Sequence, residues 1–187
     1  MKTIMISIKP EWCAKIMNGE KTIEVRKNKA LASAIKKEID ENGYVEIYVY
    51  CSKDKKYANL VNRGGFITGM VAFKFRCYKV EEIIDYGSCY LINKNYPHTN
   101  KVAKQSCLDF IDLKNYLKGK NGYAIFISDL EIFDKPKELR EFWTVGKHCK
   151  HKNKPDKDMY CDFCYHYDCI GNNFTKAPQN FYYVEVE

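Results

Sequence analysis

The strongest constraint on the fold comes from two segments rich in β-branched and aromatic residues. The segment YVEIYVYCS at 44–52 is the clearest strand signal in the chain. The segment FITGMVAFKFRCYKV at 66–80 is longer than an ordinary strand, and its Gly69 is typical of a bulge or a sharp bend. Together they predict a small, strongly curved sheet.

Further strands and helices alternate along the rest of the chain. Strands are predicted at 3–8, 21–27, 122–133 and 180–187, and helices at 10–17, 29–41, 106–118 and 134–142. In the third helix, Ser106 and Asp109 stand in capping-box positions. A chain of 187 residues suits one domain, 1–187, so we predict a single α+β domain built around a small curved sheet or barrel.

The charge of the chain is uneven. The formal net charge is +7, and residues 1–37 hold nine basic side chains against three acidic ones. This asymmetry fits either an anionic partner such as nucleic acid or a solvated lysine-rich surface. No apolar run approaches the length of a membrane span, and the N-terminus lacks the pattern of a secretion signal. We therefore expect a cytoplasmic protein without a membrane partner.

One predicted strand, at 21–27, has two different faces. Side chains alternate along a strand, so Ile23 and Val25 point one way while Thr22, Glu24 and Arg26 point the other. The opposite charges of Glu24 and Arg26 fit a plain surface ion pair or a shared ligand.

This strand belongs to a longer stretch, ISIKPEWCAKIMNGEKTIEVRK at 6–27, which resembles the N-terminal signature of the ASCH domain. The hallmark of that family is a run with Gly19, Lys21 and Arg26 after the first helix. The similarity continues through VEIYVYCSK, GFITGMVAF, YAIFISDLEIFDKPKELREF and APQNFYYVE, in a layout similar to phage-type ASCH proteins of bacteria and their viruses. The resemblance implies a PUA-like β-barrel with flanking helices.

The resemblance also implies a cleft between the barrel and its first helix that receives RNA or a nucleotide. The residues expected at its mouth are Lys9, Lys21, Glu24, Arg26 and Lys53. A basic rim with one carboxylate acceptor suits a nucleotide, since Lys and Arg bind phosphate and Glu accepts from a base amino group. Trp12, Tyr57, Phe66 and Trp143 are aromatic residues that could stack on a base.

An alternative activity follows from the same resemblance. Some small ASCH proteins are amidohydrolases that remove the acetyl group from acetylated cytidine with a lysine, a threonine nucleophile and a glutamate. The lysine matches Lys21, but Glu24 occupies the threonine position, and a carboxylate can act as a base on water but not as a hydroxyl nucleophile. Thr22 is the nearby hydroxyl, so Lys21, Glu24 and Thr22 are the catalytic candidates if the protein is an enzyme.

A Cys- and His-rich insertion at 147–172 precedes the last strand. Cys161 and Cys164 have the CxxC spacing of zinc ligands, and Cys149 and Cys169 complete a four-sulfur set. One of His148, His151 and His166 is an alternative ligand. Four ligands leave no open position, so the zinc would be structural, stapling the insertion to the domain, and the segment is also a candidate surface for a protein partner. The remaining cysteines, Cys13, Cys51, Cys77, Cys89 and Cys107, are predicted to be core residues.

The zinc prediction has a direct measurement. Metal analysis of protein purified without added metal should find close to one zinc per chain, because a four-cysteine site binds zinc tightly enough to retain it. If the purified protein carries no zinc, the prediction of a structural zinc site is wrong.

Overall fold

The computed structural model describes residues 2–54, 68–85, 90–92, 99–144 and 176–186. Its strands are β1 Thr3–Ile8, β2 Ile23–Arg26, β3 Val45–Cys51, β4 Val71–Cys77, β5 Val80–Asp85, β6 Tyr90–Ile92, β7 Gly122–Phe126, β8 Ser128–Lys137, β9 Phe142–Thr144 and β10 Phe181–Val186. Its helices are α1 Pro10–Met17, α2 Lys29–Asn42, α3 Thr99–Ser106 and α4 Phe110–Leu117, with a short 3-10 turn at Leu139–Glu141. The mixed composition confirms the predicted α+β class.

The described strands form two sheets. The larger has six strands in the order β8-β4-β3-β1-β10-β9, and the smaller has four in the order β2-β7-β5-β6. The expected closed barrel is not found among these strands. The reason is the pairing on either side of α1, since β1 pairs with β3 and β10 whereas β2 pairs with β7.

The larger sheet is apolar on both faces, as the alternation in β1 shows. Ile4, Ile6 and Ile8 join a core cluster that also contains residues of α1, α2, β3 and β4, while Met5 points into a second cluster with Tyr48 and Phe142. Val80 and Ile125 of the smaller sheet belong to the first cluster and so connect the two sheets. A third cluster lies between the smaller sheet and the helices α3 and α4.

The helices begin and end where local chemistry dictates. Pro10 occupies the first turn of α1, and Gly19, with φ +75°, takes the left-handed conformation that turns the chain toward β2. The Asn28 side chain accepts hydrogen bonds from the backbone N–H groups of Ala30 and Leu31 at the start of α2.

Two predicted helices differ from the observed elements. The helix expected at 106–118 is divided, because Cys107 adopts a positive φ of 55° and Asp109 caps a new helix by accepting from the Asp112 N–H at 2.7 Å. Asp109, not Ser106, is therefore the N-cap. The segment 134–142 was expected to be helical, but β8 continues to Lys137, which pairs with Val71 of β4. The edge position of β8 tolerates Pro136, which lacks a backbone donor.

None of the helices in the described ranges combines the length and the apolar character that crossing a membrane requires.

Stability should depend on the core of the larger sheet. Phe73 is fully buried in the first core cluster, so Phe73→Ala should lower the free energy of unfolding by about 3–5 kcal/mol. Ile111, 65% exposed on α4, provides the control, since Ile111→Ala should change it by no more than about 0.5 kcal/mol. Urea denaturation measures both values. A Phe73→Ala variant as stable as Ile111→Ala would contradict this assignment of the core.

Candidate nucleotide site

A cavity of about 380 Å³ lies where the end of β1, the start of α1, β2 and α4 meet. We call it the corner cavity. It is lined by Ser7, Ile8, Lys9, Glu11, Trp12, Lys21, Glu24, Val25, Arg26, Leu108, Asp112 and Tyr116. Its size falls within the range of small-ligand pockets, roughly 300–1,000 Å³.

Four of the five residues predicted for the cleft line this cavity, namely Lys9, Lys21, Glu24 and Arg26. Lys53 is not among the lining residues. Its side chain is exposed and lies against Gly69, where a Cβ atom would come within 2.9 Å of the Lys53 Cε. Gly69 therefore leaves room for Lys53 in addition to adopting a positive φ of 82°.

Thr22, the proposed nucleophile of the enzymatic alternative, does not line the cavity either. Its backbone N–H donates to the Gln105 carbonyl at 2.8 Å, and its carbonyl accepts from the Ile127 N–H at 2.9 Å. These bonds hold the start of β2 between α3 and β7.

Three side chains form an ion triad in the cavity wall. The Glu24 carboxylate lies between two cations, with Oε2 3.3 Å from Lys21 Nζ and Oε1 2.8 Å from Arg26 Nε. The side chains of Lys21, Glu24 and Arg26 are 2%, 9% and 17% exposed. Buried charges of this kind are tolerated because they are paired and hydrogen-bonded.

The cations of the triad also bind backbone carbonyls from distant segments. Lys21 Nζ donates to the Ser106 carbonyl at 2.8 Å, at the end of α3. Arg26 Nη2 donates to the Ser7 carbonyl at 2.6 Å, in β1 of the other sheet. The triad therefore ties β2 to α3 and to the larger sheet. Arg26 Nε is close to Glu24 but is not directed at it, so this buried N–H has no hydrogen-bond partner among the described residues.

The turn after α1 places the triad. The backbone N–H groups of Glu20 and Lys21 both donate to the Lys15 carbonyl, at 2.9 and 3.0 Å, so the chain reverses tightly at Gly19. At the other end of α1, the Lys9 carbonyl accepts from the Trp12 and Cys13 N–H groups. Both ends of this short helix thus hold cavity residues in place.

The cavity lining is charge-balanced. Lys9, Lys21 and Arg26 carry positive charge, and Glu11, Glu24 and Asp112 carry negative charge, so the formal charges cancel. The basic cleft expected from the sequence is therefore a mixed one. The acidic residues Glu11 and Asp112 account for the difference. Glu11 lies within the recognised run but was not among the predicted cleft residues, and Asp112 comes from α4, far along the chain.

Two aromatic side chains belong to the lining, Trp12 from α1 and Tyr116 from α4. The ammonium groups of Lys15 and Lys21 each lie 5.2 Å from the Trp12 ring centroid, and that of Lys27 lies 4.5 Å from the Tyr116 ring. Burial raises the pKa of the Tyr116 phenol, so it is uncharged at neutral pH.

The other aromatic residues proposed to stack on a base are not among the described residues that line the cavity. Tyr57 and Phe66 lie outside the described residues, and Trp143 belongs to β9. Leu108, Asp112 and Tyr116 were missed by the sequence analysis, because nothing in α4 or in the residues just before it indicates that this segment packs beside β2.

Three of the predicted core cysteines are buried, Cys13, Cys51 and Cys77. A hydrogen bond with Cys51, together with burial, raises the pKa of the Cys13 thiol. Burial raises the pKa of Cys77 to about 11. Both thiols are therefore protonated and unreactive at neutral pH.

The proposed zinc ligands Cys149, Cys161, Cys164 and Cys169 lie outside the described residues, so the zinc stays a prediction. Within the described ranges, no group of three or more His, Cys, Asp or Glu side chains is arranged to hold a metal ion.

The triad yields a prediction about stability. Glu24→Gln should lower the free energy of unfolding by about 3–5 kcal/mol, because it leaves the buried Lys21 ammonium without its counter-charge. Glu41→Gln removes one partner of the exposed Lys37–Glu41 pair and should cost at most about 0.5 kcal/mol. Urea denaturation compares the two, and equal losses would show that Glu24 does not stabilise the buried cations.

Of three comparisons with known proteins, the one with solved structures gives matches. No protein-family model and no curated protein matches the sequence. Among solved structures, the chain is similar to ASCH from Zymomonas mobilis, with a TM-score of 0.47, 17% identity and 74% of each chain covered. Two point mutants of that protein give TM-scores of 0.49 and 0.48, with 17% and 16% identity, 74% of this chain covered in both cases, and 75% and 77% of theirs. These neighbours bear the family name to which the run containing Gly19, Lys21 and Arg26 pointed.

Proposed function

We propose that this protein is an ASCH-type binding protein whose corner cavity receives the base of a nucleotide or of an unpaired RNA residue. The main support for the proposal is that residues predicted from the sequence and two aromatic residues line the same cavity. Lys9, Lys21, Glu24 and Arg26, chosen from the sequence, line one cavity, and that cavity also contains Trp12 and Tyr116.

The charge balance indicates which part of a nucleotide would enter. A phosphate needs an excess of positive charge, and the cations deepest in the wall, Lys21 and Arg26, are already engaged by Glu24. A neutral base with a polar edge and two apolar faces fits a charge-balanced lining that contains aromatic side chains.

The phosphates of the ligand would then stay at the rim. Lys9 is exposed at the mouth of the cavity, and Lys27 is exposed beside Tyr116. Few phosphate contacts give a shallow salt dependence, since each contact to a single strand adds roughly 0.7 to the slope of log K against log salt. The measured salt slope therefore distinguishes binding of one or two nucleotides, which gives a shallow slope, from binding along a long basic groove, which gives a steep one.

Binding is favoured over hydrolysis by the same geometry. Both oxygens of Glu24 contact a cation, and Thr22 does not line the cavity. Ser7 is a lining residue, but its hydroxyl donates to the Pro178 carbonyl at 2.7 Å. Among the described residues that line the cavity, no hydroxyl donates to a carboxylate or another base.

Truncating the aromatic side chain of α4 tests the proposal. Tyr116→Ala should weaken binding of a fluorescein-labelled uridine or adenosine pentanucleotide by about 5- to 100-fold, as expected for the loss of one base–aromatic contact. Fluorescence anisotropy at fixed salt measures the affinity.

Tyr78→Ala is the matched control. Tyr78 is 44% exposed, close to the 37% of Tyr116, but it lies outside the cavity and donates a hydrogen bond to Asp129. Affinity should be unchanged in this variant. Equal losses in the two variants, or no binding of either pentanucleotide by the unmodified protein, would refute the proposed site.

A further inference from the structure

The cavity wall contains an edge strand of the smaller sheet. The strand β2 is the end strand of the smaller sheet, and β7 is its one partner among the described strands. The peptide groups on the other side of β2 therefore do not take part in the ladder. In a folded protein such groups need a partner, which can be protein, water or a ligand.

The register shows which residues point their peptide groups to that side. The Ile127 N–H donates to the Thr22 carbonyl at 2.9 Å, and the pairing continues as Ile23 with Phe126 and Val25 with Ala124. In an antiparallel pair, hydrogen-bonded and non-bonded positions alternate, so Glu24 and Arg26 bond to β7. The N–H and C=O groups of Ile23 and Val25 consequently point away from the sheet.

Because the Val25 side chain packs in the core, the part of Val25 that lines the cavity is its main chain. The whole residue is only 3% exposed, and its side chain packs in the third cluster, on the face opposite the ion triad. Val25 nevertheless lines the cavity, between Glu24 and Arg26. Among the described residues, neither its N–H nor its C=O has a backbone partner outside the ladder. Ile23 also points its peptide groups outward, but it does not line the cavity.

From this geometry we infer that the Val25 N–H and C=O read the Watson–Crick edge of the bound base. The inference rests on the proposed function and narrows its ligand class. One strand residue offers a donor and an acceptor side by side, and the Watson–Crick edge of every base also carries a donor next to an acceptor. The ligand is therefore a base whose Watson–Crick edge is unpaired and unmodified. A duplex is excluded, because its bases already use that edge.

Methylation distinguishes this mode of recognition from stacking alone. A pentanucleotide made of 3-methyluridine has its Watson–Crick edge blocked, whereas one made of 5-methyluridine carries the same added methyl on the major-groove edge and leaves the Watson–Crick edge intact. Both have the charge of the uridine pentanucleotide. We expect the 3-methyl ligand to bind at least about tenfold more weakly than uridine and the 5-methyl ligand to bind as well as uridine.

An adenosine series gives the same test on a purine. A pentanucleotide of N6,N6-dimethyladenosine lacks the amino donor, and one of 2′-O-methyladenosine retains it. The first should lose at least about tenfold in affinity and the second should not. If both Watson–Crick-blocked ligands bind as tightly as their parents, the inference is overturned while the proposed cavity stands. If neither the uridine nor the adenosine pentanucleotide binds, both the inference and the proposed function are wrong.

Proline substitution tests the donor on the protein side. Val25→Pro removes one outward-pointing N–H without removing a ladder hydrogen bond, a change that edge strands tolerate. Ile23→Pro makes the same change two residues earlier, outside the cavity, and is the matched control. Val25→Pro should weaken uridine pentanucleotide binding at least about tenfold relative to Ile23→Pro, and equal affinities would overturn the inference. Thermal melting establishes that both are folded; if either is not, the methylated ligands decide.

Discussion

The corner cavity depends on the burial of one carboxylate between two cations. Without Glu24, Lys21 and Arg26 would be buried like charges, and β2 with the turn that precedes it could not occupy the cavity wall. Each cation also donates a hydrogen bond to a carbonyl, Lys21 to that of Ser106 and Arg26 to that of Ser7. The triad thereby holds β2 in position as one wall of the corner cavity and ties it to the larger sheet.

The same pairing determines what the cavity can recognise. Charges that neutralise each other contribute little long-range attraction for phosphate, so specificity has to come from shape, from aromatic faces and from oriented donors and acceptors. The +7 charge of the whole chain resides mainly elsewhere. Long-range steering of an anionic ligand and local selection of its base are therefore separate properties of different residues.

Much of the fold was predictable because alternation is a local signal. The strands at 3–8 and 44–52 were found within a residue of their observed bounds, since apolar side chains at every second position must face a core. The positive φ of Cys107 and the continuation of β8 through Pro136 were not predictable. They depend on tertiary packing and on the pairing of β8 with β4, which the residues themselves do not encode locally.

The residues of the candidate site were likewise only partly predictable from the sequence. Lys9, Lys21, Glu24 and Arg26 were found because they lie close together in one recognisable run. Leu108, Asp112 and Tyr116 come from a segment more than 80 residues later, and no spacing in the sequence links it to β2.

That separation bears on how the protein reaches its native state. The hydrogen bond from Lys21 to Ser106 closes a loop of 85 residues, a contact that carries a large entropic cost and tends to form late. A nascent chain not yet synthesised beyond α3 would contain the residues of β2, but neither the partner strand β7 nor the cavity wall that α4 supplies. Only the fully folded protein would then bind the ligand, because the corner cavity does not form until the segment containing α4 has packed against β2.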